Sequence, residues 1–346
     1  MKIAVATVQV PFISGGAELM TQGLCDALRE AGHDAALVAL PFRFGPPAAV
    51  RRSMAAWTNE DFARFDAGLV DEVIALKFPA FYLRHPSKRV WLMHQHRSVY
   101  ELFDSPFGER ADNADAVSLK AEITLCDTQA LSEARHVFTI SQTVSERLLR
   151  FNNVSSKPLL QPPFQAELFY AGEPMPYIFV PSRLEGLKRQ DLLIRAMAHV
   201  GEPVYAVIAG EGGQRNALEL LTSELGLQHR VRFIGRVADD AMRRWYAHSL
   251  AVFFGPMLED YGFITLEAML SSKAVITCTD SGGPTHFVRD GDTGHITAPE
   301  PEAVAHAINT LWANRSRARE LGENGRCHYE SLQISWDDVV SKLLAD

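Results

Sequence analysis

The sequence has few of the features that would place it in a class at once. Its four cysteines, Cys25, Cys126, Cys278 and Cys327, stand far apart and form no CxxC pair. Neither a zinc site nor a disulfide framework is therefore expected, and a reducing cytoplasm fits. No apolar run approaches the roughly 20 residues that cross a bilayer. The opening Lys2-Ile3-Ala4-Val5-Ala6 runs straight into a strand pattern, so no signal peptide is expected. The expectation is a cytoplasmic protein, peripheral at most at the inner membrane face. Excess positive charge is missing too. The net charge is -8, with 17 Lys and Arg against 18 Asp and Glu in residues 1–163, and 17 against 24 in residues 164–346. That balance excludes general nucleic-acid binding. The first strand pattern is followed by no GxGxxG, which argues against an NAD dehydrogenase.

What is present is an α/β pattern run twice. The 346 residues, 47% apolar, suffice for two domains with cores of their own. Residues 2–8 form a short apolar run of the kind buried in parallel sheets, and Gly15-Gly16 follows. A helical spacing covers 18–31, and Gly32 ends it. Strand patterns recur at 35–40, 73–76, 89–94 and 137–141. Pro162-Pro163 breaks the sequence as a linker or hinge. The pattern then restarts with strands at 177–181, 204–210, 231–235, 250–254, 274–277 and 294–296, and a helix over 190–199. The fold class expected is α/β, two Rossmann-like domains facing each other across a cleft at their strand C-termini.

Three segments at strand ends carry the chemistry. Arg183 and Lys188 lie five positions apart just past a strand and can flank a diphosphate without a metal; a solvated basic loop is the plainer account. In the second, Glu259 precedes a helix predicted from Phe263. Gly262, Phe263, Ile264 and Thr265 would present helix-start amides to phosphate. Glu267, one turn in, suits sugar hydroxyls. The third is Gly282-Gly283-Pro284, a tight turn before another helix. The loop with Gly210 and Glu211 resembles it, and a simple strand-to-helix turn explains either. In the first half, Gly15 and Gly16 allow close backbone approach to donor phosphates or acceptor, and His94 closes an apolar strand. The basic and apolar stretch from Phe42-Arg43 through Arg51-Arg52 to Trp57 could touch an anionic membrane; a solvated helix is the blander reading.

Taken in order, Gly15-Gly16-Ala17-Glu18, His94, Arg183-x4-Lys188, Glu259-x7-Glu267 and Gly282-Gly283-Pro284 resemble the family 4 retaining glycosyltransferases of the GT-B fold. The resemblance implies a nucleoside-diphosphate sugar as co-substrate, no other cofactor and no metal. It also implies a saccharide or lipid-linked acceptor, as in surface polysaccharide or glycoconjugate synthesis. By it, Arg183 and Lys188 bind the diphosphate, Glu267 the ribose, Glu259 the transferred sugar, and 262–265 sugar and phosphate. Ile234 to Val237 would lie by the base, His94 at the donor sugar or reacting centre, and Gly16 on the phosphate and acceptor side. It further implies domains at 1–163 and 164–335, with a C-terminal helix, 336–346, packing back on the first. His286 stands where the family often has an acid. A sugar-nucleotide epimerase and a non-catalytic nucleotide-sugar binding protein remain the competing readings.

Overall fold

Each half of the chain alternates buried strands with helices, and each closes its own six-stranded parallel sheet. The computed structural model describes residues 1–12, 15–66, 68–201 and 203–345. The chain divides into two units, Met1–Phe164 with Ser335–Asp346, and Gln165–Ile334. The first boundary falls one residue past the Pro162-Pro163 pair.

In the first unit the order is β1 (Lys2–Gln9), α1 (Gly16–Glu30), β2 (Asp34–Pro41), α2 (Pro47–Asn59) and a two-stranded hairpin, β3 (Arg64–Phe65) with β4 (Gly68–Leu69). Then come β5 (Glu72–Ala75), β6 (Lys88–Leu92), α3 (Ala114–Ser132), β7 (His136–Thr139), α4 (Gln142–Asn152) and the short edge strand β8 (Lys157–Pro158). The sheet order is β2-β1-β5-β6-β7-β8. The chain changes direction across the sheet between β1 and β5, so the crevice outside their C-terminal ends is where such a sheet binds ligands. Strands β5 and β6 are buried throughout, the charged Glu72, Lys88 and Arg89 at their starts included.

Helix α2 decides the fate of the basic and apolar stretch. Val50, Met54 and Trp57, spaced for one helical face, are buried in the unit, as is Phe42. These apolar side chains are taken by the protein's own core, which leaves Phe44 as the exposed large apolar residue of the stretch. Arg51 is engaged by Asp115 and Glu122, each at 2.7 Å. The segment is a helix with one face packed on its own domain, where the blander reading had a solvated helix.

The last helix of the chain, α12 (Trp336–Leu344), belongs to the first unit. Its Trp336 ring meets Trp91 edge-on at 6.2 Å and lies over Gly23 in α1. A Cβ at position 23 would stand 2.4 Å from the indole, so a glycine in mid-helix is what lets the tryptophan seat. Arg89, buried and paired with Glu72 at 3.2 Å, also donates to the Ala345 carbonyl at 2.5 Å.

The second unit runs β9 (Tyr177–Pro181), α5 (Gln190–Ala196), β10 (Tyr205–Ala209), α6 (Arg215–Glu224), β11 (Val231–Gly235), α7 (Asp239–His248) and β12 (Ala251–Phe253). It continues through α8 (Phe263–Leu270), β13 (Ala274–Cys278), α9 (Gly283–Phe287), β14 (Gly294–Thr297), α10 (Pro301–Ala313) and α11 (Arg315–Ser331). The sheet order is β11-β10-β9-β12-β13-β14, the doubly wound order in which direction reverses between the first and fourth strands. Ile178, Ile208, Phe253 and Ile276 from the strands pack with Leu193, Ile308 and Leu321 from the helices. Helix α5 is shorter than the expected 190–199, because after Ala196 the chain tightens into turns closed by Ala198→Arg195 and His199→Ala196 bonds. Among the described residues no helix is long and apolar enough to cross a membrane.

Candidate functional site

The reversal in the second sheet puts the loops after β9 and after β12 side by side at their C-terminal ends. The chain links them at once through the Met257 amide on the Leu187 carbonyl, 2.8 Å. Lys188 comes from the first loop and Glu259 from the second. Their side chains meet, Nζ donating to Oε2 at 2.5 Å, with Lys188 16% exposed and Glu259 20% exposed. The ammonium also stands 5.5 Å from the centre of the Phe254 ring. Sequence spacing lets Lys188 flank a diphosphate, and the family resemblance assigns Glu259 to the transferred sugar. Here the two are each other's partners, so neither is an uncompensated charge.

Arg183 is placed differently. Its guanidinium is half exposed and pairs with Glu185 on its own loop at 2.8 Å. It sits beyond the same strand end as Lys188, but the ion pair it makes is with that neighbour.

The loop 255–262 is fixed by two further connections. Glu259 and Gly282 form a parallel bridge, the Glu259 amide on the Ser281 carbonyl and the Gly283 amide on the Glu259 carbonyl, both at 2.9 Å. Gly282 sits at φ +71°, where a Cβ would stand 2.5 Å from the Glu259 carbonyl oxygen. The Gly282-Gly283 turn is thus a seat for the Glu259 loop. Arg189, itself left-handed at φ +49°, adds the second connection. It donates to the Gly255 carbonyl at 2.7 Å, the Pro256 carbonyl at 2.8 Å and both carboxylate oxygens of Asp280, at 2.8 and 2.6 Å. One side chain thereby joins the loops after β9, β12 and β13. Sequence alone assigns no role to Arg189, or to Asp280 beside the glycine turn. Their adjacency to Lys188 and to the glycine pair was the signal available.

Helix α8 begins at the expected place. Gly262 caps it at φ +97°, a conformation that favours glycine, and Phe263, Ile264 and Thr265 form its first turn. The Thr265 hydroxyl is fully buried with no hydrogen-bond partner among the described residues. Such a hydroxyl costs about 1–3 kcal/mol until an oxygen or nitrogen reaches it. One turn on, Glu267 accepts from the Tyr246 hydroxyl at 2.5 Å. Burial pushes the Glu267 carboxyl above its usual range, and the Tyr246 bond opposes that. Tyr246 was not anticipated either.

The glycine loop 209–213 has a structural cause. A Cβ on Gly210 would meet the Ser182 carbonyl oxygen at 2.1 Å, and one on Gly212 the Leu184 carbonyl oxygen at 2.4 Å. The glycines let this loop lie against the one bearing Arg183, with the Glu211 carbonyl accepting from the Leu184 amide at 2.9 Å. Glu211 itself is exposed. Ile234 and Val237 are half-buried at the end of β11, where the Gly235 carbonyl accepts from Gly210 at 2.8 Å. His286 lies exposed on α9.

The remaining candidates sit at strand ends of the first unit. Gly15 caps α1, its amide donating to Glu18 at 2.8 Å, and Gly16 is the first helical residue. Glu18 also pairs with the buried Lys77 just after β5, at 3.5 Å. His94 follows β6, half-buried, with Nδ1 2.8 Å from the Gln95 carbonyl. Behind it lies a buried polar network. Gln95 donates to Asn152 at 2.6 Å, Asn152 to Tyr100 at 3.3 Å, and Tyr100 and Tyr82 to the two oxygens of Asp127 at 2.7 and 2.6 Å.

The second unit matches a known family, and solved structures resemble the chain in fold. Residues 170–328 match the family described as Glycosyl transferases group 1. D-inositol 3-phosphate glycosyltransferase of Nocardia farcinica is 31% identical over 192 residues, 52% of this chain and 42% of that one. A GDP-mannose-dependent alpha-(1-6)-phosphatidylinositol monomannoside mannosyltransferase of Mycobacterium tuberculosis is 31% identical over 181 residues, 49% of this chain and 46% of that one. The chain spans less than half the length of these curated relatives. In fold, sucrose-phosphate synthase from Thermosynechococcus elongatus superposes with a TM-score of 0.78 at 18% identity, covering 99% of this chain and 97% of that one. Anabaena HepE in complex with UDP and glucose gives 0.74 at 19% identity, covering 99% and 98%. The second unit thus carries a match to the group 1 glycosyltransferases, and the two Rossmann-like units have the GT-B fold.

Proposed function

We propose that the protein moves a sugar from a nucleoside-diphosphate sugar to a hydroxyl of a saccharide or lipid-linked acceptor, with retention of configuration and without a metal. The observation that carries this reading is the Lys188–Glu259 pair at the reversal point of the second sheet, beside the start of α8. A diphosphate arriving there meets a cation already held in place and helix-start amides, with Arg183 beyond the same strand. HepE, alike in fold, binds UDP and glucose, which makes UDP-sugars the first donors to try.

In the reaction the bond between the sugar C1 and the leaving phosphate oxygen breaks, and C1 joins the acceptor oxygen on the same face. The acceptor proton passes to the departing phosphate. Lys188 and the α8 amides offset the charge growing on that phosphate. A double displacement through Glu259 is disfavoured, because a carboxylate that accepts a charged hydrogen bond at 2.5 Å is a weakened nucleophile. His94 is assigned to the donor sugar or the reacting centre, and Gly15 and Gly16 to the phosphate and acceptor side.

Release of nucleoside diphosphate, followed across UDP-, GDP- and ADP-sugars with an acceptor panel, tests the proposal. Lys188→Ala is expected to lower kcat about 10²–10³-fold, and EDTA to leave activity unchanged. Full activity of both Lys188→Ala and Arg183→Ala with a confirmed donor sinks the site assignment. Strict metal dependence sinks the metal-free mechanism. Conversion of the donor alone into an isomer would make the protein an epimerase instead.

A further inference from the structure

We infer that Tyr246 is a positioning residue for nucleotide recognition, holding one oxygen of Glu267 so that the other is presented to the donor's ribose hydroxyls. The inference rests on the reading of Glu267 as the ribose acceptor and adds to it how that carboxylate is oriented. Tyr246 stands on α7, two turns from its start, and its side chain is completely buried. Two rings pin it edge-on, Phe169 at 5.7 Å and Phe179 at 5.1 Å, so its hydroxyl has one place to point. That place is Glu267 Oε2, at 2.5 Å. A neutral phenol that only donates to this oxygen fixes the plane of the carboxylate and occupies one acceptor. Oε1 is left with its lone pairs for a vicinal diol.

The bond also selects the charged form of Glu267. Burial favours the neutral acid, which would carry a proton where an acceptor is needed. Asp239, at the start of the same helix α7, pushes in the same direction, while the Tyr246 hydroxyl opposes both. From the other elements packed on α8, Arg326 of α11 donates to the Leu270 carbonyl, three residues past Glu267, and His286 of α9 is exposed. The ribose site is therefore expected to lose affinity as the pH falls and Glu267 takes up a proton, and Tyr246 sets how far the pH can fall first.

Tyr246→Phe keeps the ring between Phe169 and Phe179 and removes the hydroxyl alone. Dissociation constants are measured by calorimetry for UDP and GDP and for their 2′,3′-dideoxy counterparts, on the full chain, from about pH 8 down to about pH 5. The wild type is expected to prefer the ribose form. The variant is expected to bind that form about tenfold more weakly, as for one lost hydrogen bond to a charged group. Its affinity for the dideoxy form should be unchanged, and its acid loss of binding should move to higher pH. A variant that keeps the full ribose preference and the wild-type pH profile overturns the inference alone. So does equal weakening of both ligand forms, which would mark Tyr246 as packing. A wild type that binds both forms equally overturns the assignment of Glu267 to ribose, and this inference with it.

Discussion

A guanidinium that stands on one loop and satisfies four acceptors on two others has no substitute among the other cations. Lysine at position 189 would bring a compact ammonium without the planar fork that spans Gly255, Pro256 and both Asp280 oxygens. Arg189→Lys and Asp280→Asn are each expected to lower kcat/KM about a hundredfold, as for a loop misplaced by an ångström. Unchanged steady-state kinetics in both would show the loops hold without this clamp. At the same scale, Asp127 makes stability depend on pH. Burial raises its carboxyl to about 7. The folded protein then binds a proton that the unfolded chain has already released, so stability falls as the pH rises from the unfolded carboxylate range to about 7. Asp127→Asn cannot ionise, and its urea midpoint should show a smaller decline than the wild type over that range. Parallel declines would mean other groups control it.

The residues legible in the sequence were those whose meaning is local. Gly262 before an apolar helix start, Lys188 past a strand and Glu259 before the next helix announce themselves within a few positions. Tyr246 and Glu267 are 21 residues apart, and Arg189 and Asp280 are 91 apart. Nothing in the neighbourhood of either partner says which distant side chain it meets. Local reading also leaves out the Lys188–Glu259 ion pair, whose members are 71 residues apart.

Among the elements, α1 and α12 show how a glycine can be read two ways. Gly23 weakens an otherwise regular helix by about 1 kcal/mol relative to alanine. Propensity alone therefore predicts that Gly23→Ala is stabilising. The indole of Trp336, 2.4 Å from the added Cβ, predicts the reverse, since overpacking against a rigid ring costs about 1–3 kcal/mol. The crowding term is the larger, so a lower Tm is expected, with α12 the first element to lose amide protection. A raised Tm would mean the helix lifts away at no cost. The loop 209–213 carries the same lesson. Its glycines were visible, but their cause, a neighbouring backbone 2.1 Å from the missing Cβ of Gly210, belongs to the folded chain.

At the scale of the whole molecule, the two six-stranded sheets differ in the lateral placement of one strand. The first has its second β-α unit alone on one side of β1, and the second unit has two strands there. That difference was not readable from the strand patterns, which gave nearly all the strands in sequence but not their lateral order. The division into units makes a prediction about fragments. Residues 165–334 are contiguous and hold a complete sheet, so that fragment should unfold cooperatively on its own. Residues 1–164 without 335–346 leave the Gly23 and Trp91 surface uncovered and should aggregate or melt at lower temperature. Equal stability of 1–164 with and without a supplied α12 peptide would refute this.

Because the chain leaves the first unit at Phe164 and returns at Ser335, the unit begun earlier is finished after the other. On the ribosome, the amino-terminal sheet must wait through the making of some 170 further residues, a whole second domain, before its tryptophan plug arrives. A premature stop just before Trp336 would then leave the second unit whole and hand quality control a defect in the unit begun before it.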